Sequence, residues 1–142
     1  MQEPKISKAE LALIARDEVP FAGSLGLLAD TVEAGRVVVR VPYQGAFVRP
    51  GGTIAGPVMM AAADFAMYAV VLSLIGPVKL AVTTNLNINF LRRPPPGDLL
   101  ADARIIKLGQ RLAVGEVSLY AEGAEGDLVA HVTSTYSIPP RG

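Results

Sequence analysis

The sequence predicts an α+β fold in which one long apolar helix is wrapped by a curved antiparallel sheet, and three observations carry that expectation. The run GPVMMAAADFAMYAVVLSLIG is apolar on every side of a helical wheel and is bracketed by Gly56-Pro57 and Gly76-Pro77. A helix that is hydrophobic all round has to be buried. Two strand-like segments precede this run and four follow it, so helix and sheet are segregated along the chain as in α+β architectures. The chain has 142 residues, enough to bury one core without disulfides or structural metal, and it shows no repeat or low-complexity tract. Residues 1–142 therefore read as a single domain, with 1–24 as an N-terminal helix and lead-in.

Each element has a local cause. Ser7-Lys8-Ala9-Glu10 is a capping box, and the ELALIAR that follows predicts a short first helix ending before Pro20. LLADTV from Leu27 and RVVVRV are joined by a turn at Glu33-Ala34-Gly35; Val37, Val39 and Val41 alternate with Arg36, Val38 and Arg40, the period of a half-buried antiparallel hairpin. PYQGAFVRPGGT, from Pro42 to Thr53, is dense in Gly and Pro and reads as a loop. Long loops in compact domains tend to carry function. Pro57 at the first helical position forfeits only an N–H with no intrahelical partner, so Gly56-Pro57 opens the long helix and Gly76-Pro77 ends it near Ile75. Strands are then expected at Leu80–Leu91, Leu99–Lys107, Leu112–Tyr120 and Leu128–Ile138, about six in all.

Composition removes several classes of function. Thirteen basic and thirteen acidic residues cancel, so no electrostatic footprint for a nucleic-acid backbone or an anionic membrane is present. The absence of cysteine excludes a thiol nucleophile and thiolate metal ligands. The single histidine, His131, excludes a histidine metal cluster, and no metal or other cofactor is expected. It alternates with Thr133 and Thr135 in VAHVTSTY, as a solvent-side or interface residue would. No GxSxG, GxGxxG or Walker-type loop occurs. The run from Ile54 to Ile75 is about long enough to span a bilayer. Pro57, many small residues and a central carboxylate penalised by about 2.5–3.5 kcal/mol argue for a buried core helix instead, with no membrane partner. The mixed-charge start MQEPKISKAE lacks the basic-then-apolar order of a signal peptide, so the expected location is cytoplasmic. Hydrophobic residues make up 51% of the chain and charged ones only 18%, which predicts that a second subunit covers part of the surface.

What remains is a Gly-rich loop leading into a helix start, and one carboxylate. Asp64 is the only charged side chain between Arg49 and Lys79, and a buried charge is costly unless it is paired or used. The N–H of Gly56, at the positive end of the helix dipole, can polarise a carbonyl or hold an oxyanion. Eight residues separate the two, about 12 Å along a helix axis. If they cooperate, Gly56 of one subunit faces Asp64 of another, with the two helices antiparallel across a twofold axis.

VRPGGTIAGPVMMAAADFAMY, VTTNLNINFLRRP, PGDLLADARIIKLGQRLAVGEVSLY and LVAHVTSTYSI together resemble the hot-dog-fold acyl-CoA thioesterases of the phenylacetate-degradation (PaaI-like) type, from about Leu27 to Ile138. The resemblance implies a homodimer or homotetramer that hydrolyses an acyl-CoA, with coenzyme A as part of the substrate. It implies that Gly56 activates the thioester carbonyl, that Asp64 of the partner subunit acts as base or nucleophile, and that the hydroxyl of Thr83 on the following strand orients the water or the carboxylate. Simple alternation instead places Thr84 with Val82, Leu86 and Ile88 on the helix-facing side, so Thr83 requires a bulge or an edge position, and Thr84 stays as its rival. Where such proteins commonly carry Asn in the loop and His just before the glycine, this chain has Arg49 and Ala55. Arg49 is expected to replace the Asn as a carbonyl donor or to pair with Asp64, and the equal alternative is a plain solvated loop arginine. Substrate contacts are expected from Arg49, Gly52 and Phe47, with phosphate contacts from Arg92, Arg93, Lys107 and Arg111. Phe47, Met59, Met60 and Phe65 are the expected lining of the acyl chamber. Two other functions stay open: a non-catalytic acyl-CoA-binding module, favoured by Arg49 and Ala55, and a hydratase or dehydratase, disfavoured because no histidine stands near the loop.

Overall fold

The computed structural model describes residues 2–140. Helix α1 (Lys8–Asp17) begins at the capping box, with Ser7 Oγ accepting from Glu10 N–H and the Glu10 carboxylate accepting from Ser7 N–H. A second short helix, α2 (Pro20–Ser24), starts at the proline that was expected only to end α1, because Pro20 at the first helical position presets the helical φ. Strands β1 (Leu28–Glu33) and β2 (Arg36–Val41) form the expected antiparallel hairpin, closed by Gly35 at φ +84°.

The segment expected to be plain loop is more ordered than that. It holds a 3₁₀ turn at Gly45–Phe47 and a two-residue hairpin of β3 (Val48–Arg49) and β4 (Thr53–Ile54). Its tip residues Gly51 and Gly52 have φ +95° and +77°, a region open to glycine and hard for other residues. Such a short hairpin carries no alternating pattern of its own, so the dense Gly and Pro hid it.

Helix α3 (Gly56–Ile75) is the core helix and ends at Gly76. The main sheet has six antiparallel strands in the order β1-β2-β6-β7-β8-β5, with β5 (Val82–Phe90), β6 (Leu99–Leu108), β7 (Leu112–Ala121) and β8 (Leu128–Ser137) as expected within one or two residues at their ends. Small side chains interleaved with larger ones on the inner face of the sheet leave room for α3: Ala101, Ala103, Ala113 and Ala130 are fully buried there beside Val117, Leu119 and Val132. Gly115 marks the tightest approach, where a Cβ would sit 2.7 Å from both Met67 Sδ and the Arg104 carbonyl. The large fully buried residues of α3, such as Met67, Val70, Val71 and Leu72, fill the space so created, each worth about 1.5–3 kcal/mol of burial. The fully buried hydroxyl of Ser73 is satisfied: its Oγ donates to the Val70 carbonyl at 2.6 Å and accepts from Gly35 N–H at 3.0 Å, tying α3 to the β1–β2 turn.

One ionic knot sets the position of the loop that leads to the helix start. Arg40 meets Asp30 at 2.9 Å, Asp98 at 3.0 Å and Glu122 at 2.6 Å, and Asp98 also accepts from Tyr43 N–H at 2.8 Å. That backbone N–H, together with Arg40, holds the Asp98 carboxyl below the usual carboxylate range.

Candidate active site

Asp64 lies on the one side of α3 that the sheet leaves uncovered. Residues 56, 60 and 64 recur every four positions, and Met60 between the other two is 43% exposed. The Asp64 carboxylate is half-buried and held by two hydroxyls: Thr83 Oγ1 donates to Oδ1 at 2.6 Å and Tyr136 Oη at 3.0 Å. Tyr136 Oη is also 3.0 Å from the Asp64 backbone carbonyl.

Thr83 reaches Asp64 because β5 is bulged. Thr83 pairs with Tyr136 and Asn85 with Thr135, so two steps along β5 match one along β8 and Thr84 is the extra residue. The bulge overturns simple alternation: Thr83 joins the inward-facing Leu86 and Ile88, while Thr84 is exposed and donates to the Thr135 carbonyl at 3.1 Å. Thr84 therefore does not meet Asp64.

Tyr136 is the residue that sequence reasoning missed. It is buried beneath Asp64, with its ring 6.2 Å from that of Tyr68, and burial followed by the adjacent Asp64 charge pushes its phenol well above the ordinary tyrosine range. It stays protonated and acts as a donor. Its alternation with the buried Ala130, Val132 and Ser134 was the available signal for its inward direction.

Around this carboxylate is a cleft of 540 Å³, walled by Pro20, Phe21 and Ala22 of α2, by Phe65 and Tyr68 of α3 and by Leu80. Lys79 on its rim pairs with Glu18 at 3.2 Å. Gly56 lies in a different cleft of 390 Å³, shared with Arg49, Phe90, Arg92 and Arg93. No side chain caps the start of α3, and Ala55 ahead of it is extended. Pro57 has no N–H and Val58 N–H donates to the Ala55 carbonyl at 3.1 Å, which leaves Gly56, in the lining of this second cleft, as the residue of the first turn whose N–H has no partner among the described residues. The close approach at Gly56 is to a side chain: a Cβ there would lie 3.2 Å from Phe90 Cζ, so the ring would have to shift by a few tenths of an ångström to admit one.

The other expected site residues fall into three groups. Arg49, Arg92 and Arg93 gather in the Gly56 cleft; Arg92 pairs with Asp127, and Arg49 makes no ion pair with Asp64 within the chain among the described residues. Gly52 is exposed at the hairpin tip, donating to the Arg49 carbonyl at 3.0 Å. Phe47 is buried in the core and lies in neither cleft; its carbonyl accepts from Ala55 N–H at 2.8 Å and so anchors the residue before the helix. Of the other residues expected in an acyl chamber, Phe65 borders the Asp64 cleft, Met59 the Gly56 cleft, and Met60 neither.

Lys107 and Arg111 do not join Arg92 and Arg93 within one chain. Lys107 pairs with Val114, Val114 with Thr135 and Thr135 with Asn85, whereas Phe90, next to Leu91 and Arg92, pairs with Ala130. Five residues of strand, about 17 Å, separate the two ends. The lone His131 faces the outer side of the sheet, 3.6 Å from Glu116 and away from α3. A larger cleft of 740 Å³ between α1, α2 and β1 has no carboxylate in its lining, so its size does not recommend it for this chemistry.

Comparison with known proteins identifies the family. A family model described as the thioesterase superfamily matches residues 51–126, which span the helix start, Asp64 and Thr83. A Saccharolobus solfataricus protein provisionally described as an esterase is 31% identical over 118 residues, covering 82% of this chain and 77% of that protein. A solved structure from a Silicibacter species, provisionally described as a thioesterase, is 42% identical with a TM-score of 0.86, covering 97% of this chain and 95% of that one. A mutant of the phenylacetic acid degradation protein PaaI from Thermus thermophilus is 28% identical with a TM-score of 0.74, covering 84% of this chain and 99% of that one.

Proposed function

Because this chain belongs to the thioesterase superfamily, whose members hydrolyse thioesters, we propose that its substrate is an acyl-CoA and that each active site is shared between two subunits. The observation that carries this is the division of labour between two clefts. One holds an anchored carboxylate among apolar walls, and the other holds an uncapped helix start beside three arginines. Arranging two copies with α3 antiparallel across a twofold axis would set Gly56 of one beside Asp64 of the other. The exposed Met60, Leu80, Val82 and Phe90, and the unpaired edge of β5, are surfaces that such a partner would cover.

In the shared site the thioester carbonyl accepts from the Gly56 N–H, where the helix dipole favours the negative charge that builds on oxygen. The Asp64 carboxylate of the partner subunit then either takes a proton from the attacking water or attacks the carbonyl carbon itself. In either route a C–O bond forms and the C–S bond breaks, and coenzyme A leaves as a thiol once protonated. The direct route passes through a mixed anhydride that water hydrolyses. Arg49, Arg92 and Arg93, which line the same cleft as Gly56, are the proposed contacts for the phosphates of coenzyme A. The test is thiol release from a panel of aryl and short-to-medium acyl-CoAs. Asp64→Asn should fold and lose at least about 10²-fold in kcat; unchanged turnover by that variant on a substrate of the wild type would overturn the assignment. Arg49 and Ala55 favour one second reading, a binding module, which predicts acyl-CoA binding without thiol release.

A further inference from the structure

We propose that Tyr136 is a positioning residue for Asp64, fixing Oδ1 together with Thr83 so that Oδ2 alone meets the reacting groups. The two hydroxyls come from neighbouring strands at directly paired positions, Thr83 on β5 and Tyr136 on β8, and converge on one carboxylate oxygen at 2.6 and 3.0 Å. Among the described residues Oδ2 has no hydrogen-bond partner, yet no buried side-chain oxygen or nitrogen lacks one, so Oδ2 opens into the cleft. A carboxylate bound through neither oxygen could turn about its last bond and offer either one. Bound through Oδ1 by two donors, it presents a single oxygen in one direction, the preorganisation that reaction at a fixed carbon requires.

Tyr136 is suited to this role beyond its reach. It is 2% exposed and its ring packs against Tyr68, so the hydroxyl has little freedom. Its single O–H proton is shared between the backbone carbonyl of Asp64 and the side chain, each 3.0 Å away, which ties the carboxylate to the helix segment that carries it. Because burial keeps the phenol protonated, Tyr136 stays a donor and takes no proton from the reaction.

The inference rests on the hydrolysis reading and deepens it. Its test is a cycle of Tyr136→Phe, Asp64→Asn and the double variant, each assayed for thiol release under saturating and limiting acyl-CoA. Tyr136→Phe should lower kcat by about 10- to 100-fold, the usual cost of losing an outer partner that orients a reacting group, and leave KM within about twofold. In the Asp64→Asn background the same change should cost nothing further. A loss that recurs in full on that background marks a merely structural hydroxyl and overturns the role, as does a kcat within twofold of wild type. If Tyr136→Phe does not fold, 3-fluorotyrosine at 136 keeps the shape and strengthens the donor. It then has to move kcat by more than twofold at constant KM, and an unchanged kcat overturns the proposal. A wild type that releases no thiol from any panel member removes the hydrolysis reading and this role with it. A wild type that hydrolyses, with Asp64→Asn inactive and Tyr136→Phe unimpaired, removes the role alone.

Discussion

If the oxyanion donor and the acid belong to different subunits, two inactive variants defective on opposite sides of the site should restore one another. Gly56→Pro deletes the donating N–H, and the extended Ala55 before it is compatible with a following proline. The added ring meets Phe90, whose side chain is 51% exposed and has room to swing aside. Asp64→Asn deletes the acid and keeps its shape. Within one chain the two positions are about 12 Å apart along α3, so one subunit cannot bring both to a single carbonyl. After subunit exchange by co-refolding in equal amounts, half of the dimers are mixed. Each mixed dimer has one site that joins an intact Gly56 to an intact Asp64, and one site lacking both. Thiol release should therefore return to about a quarter of the wild-type value, although each variant alone is nearly inactive. The assay follows thiol release at saturating acyl-CoA, with tags of different mass on the two chains to verify exchange. Activity that stays at the average of the two variants, with mixed dimers demonstrated, would refute the shared site. So would a fully active monomer by light scattering.

Two further outcomes follow from particular contacts. Thr83→Val should reduce kcat by about tenfold, the equivalent of one hydrogen bond to a charged group, while Thr84→Val, which disturbs only an exposed bond to the Thr135 carbonyl, should leave kcat within about twofold of wild type; steady-state kinetics of the pair checks which threonine serves Asp64. Asp98 has a folded pKa held below its ordinary value by Tyr43 N–H and Arg40, so its contribution to stability is complete above about pH 4, the unfolded range for Asp, and is lost as pH falls through the lower folded value. Thermal melts of wild type and Asp98→Asn should thus differ most near neutrality and converge on acidification, and a constant gap would contradict that role.

The order of elements was legible because it depends on local chemistry. The capping box started α1, alternation drew the β1–β2 hairpin, and an all-apolar run between two Gly-Pro pairs marked the core helix. Asp64 stood out for the same kind of reason: one carboxylate in an apolar run is costly wherever the run is buried. Even α2 and the β3–β4 hairpin, which were not anticipated, are short pieces held by their contacts rather than by a periodic pattern.

Only the tertiary structure decided what surrounds that carboxylate. The choice between Thr83 and Thr84 turned on a single extra residue in β5, and a bulge reverses which side chains point inward without leaving a mark in the alternation of the strand itself. Tyr136 lies 72 positions from Asp64, and nothing in its own neighbourhood distinguishes it from an ordinary core tyrosine. The basic residues show the same limit from the other side: Arg92 and Arg93 join the Gly56 cleft, while antiparallel pairing carries Lys107 to the far end of the sheet. Sequence alone determined which residue had to be explained and where the helix that carries it begins. Strand register and the packing of β5 and β8 against α3 determined its partners, because contacts between distant segments depend on how the sheet closes over the helix.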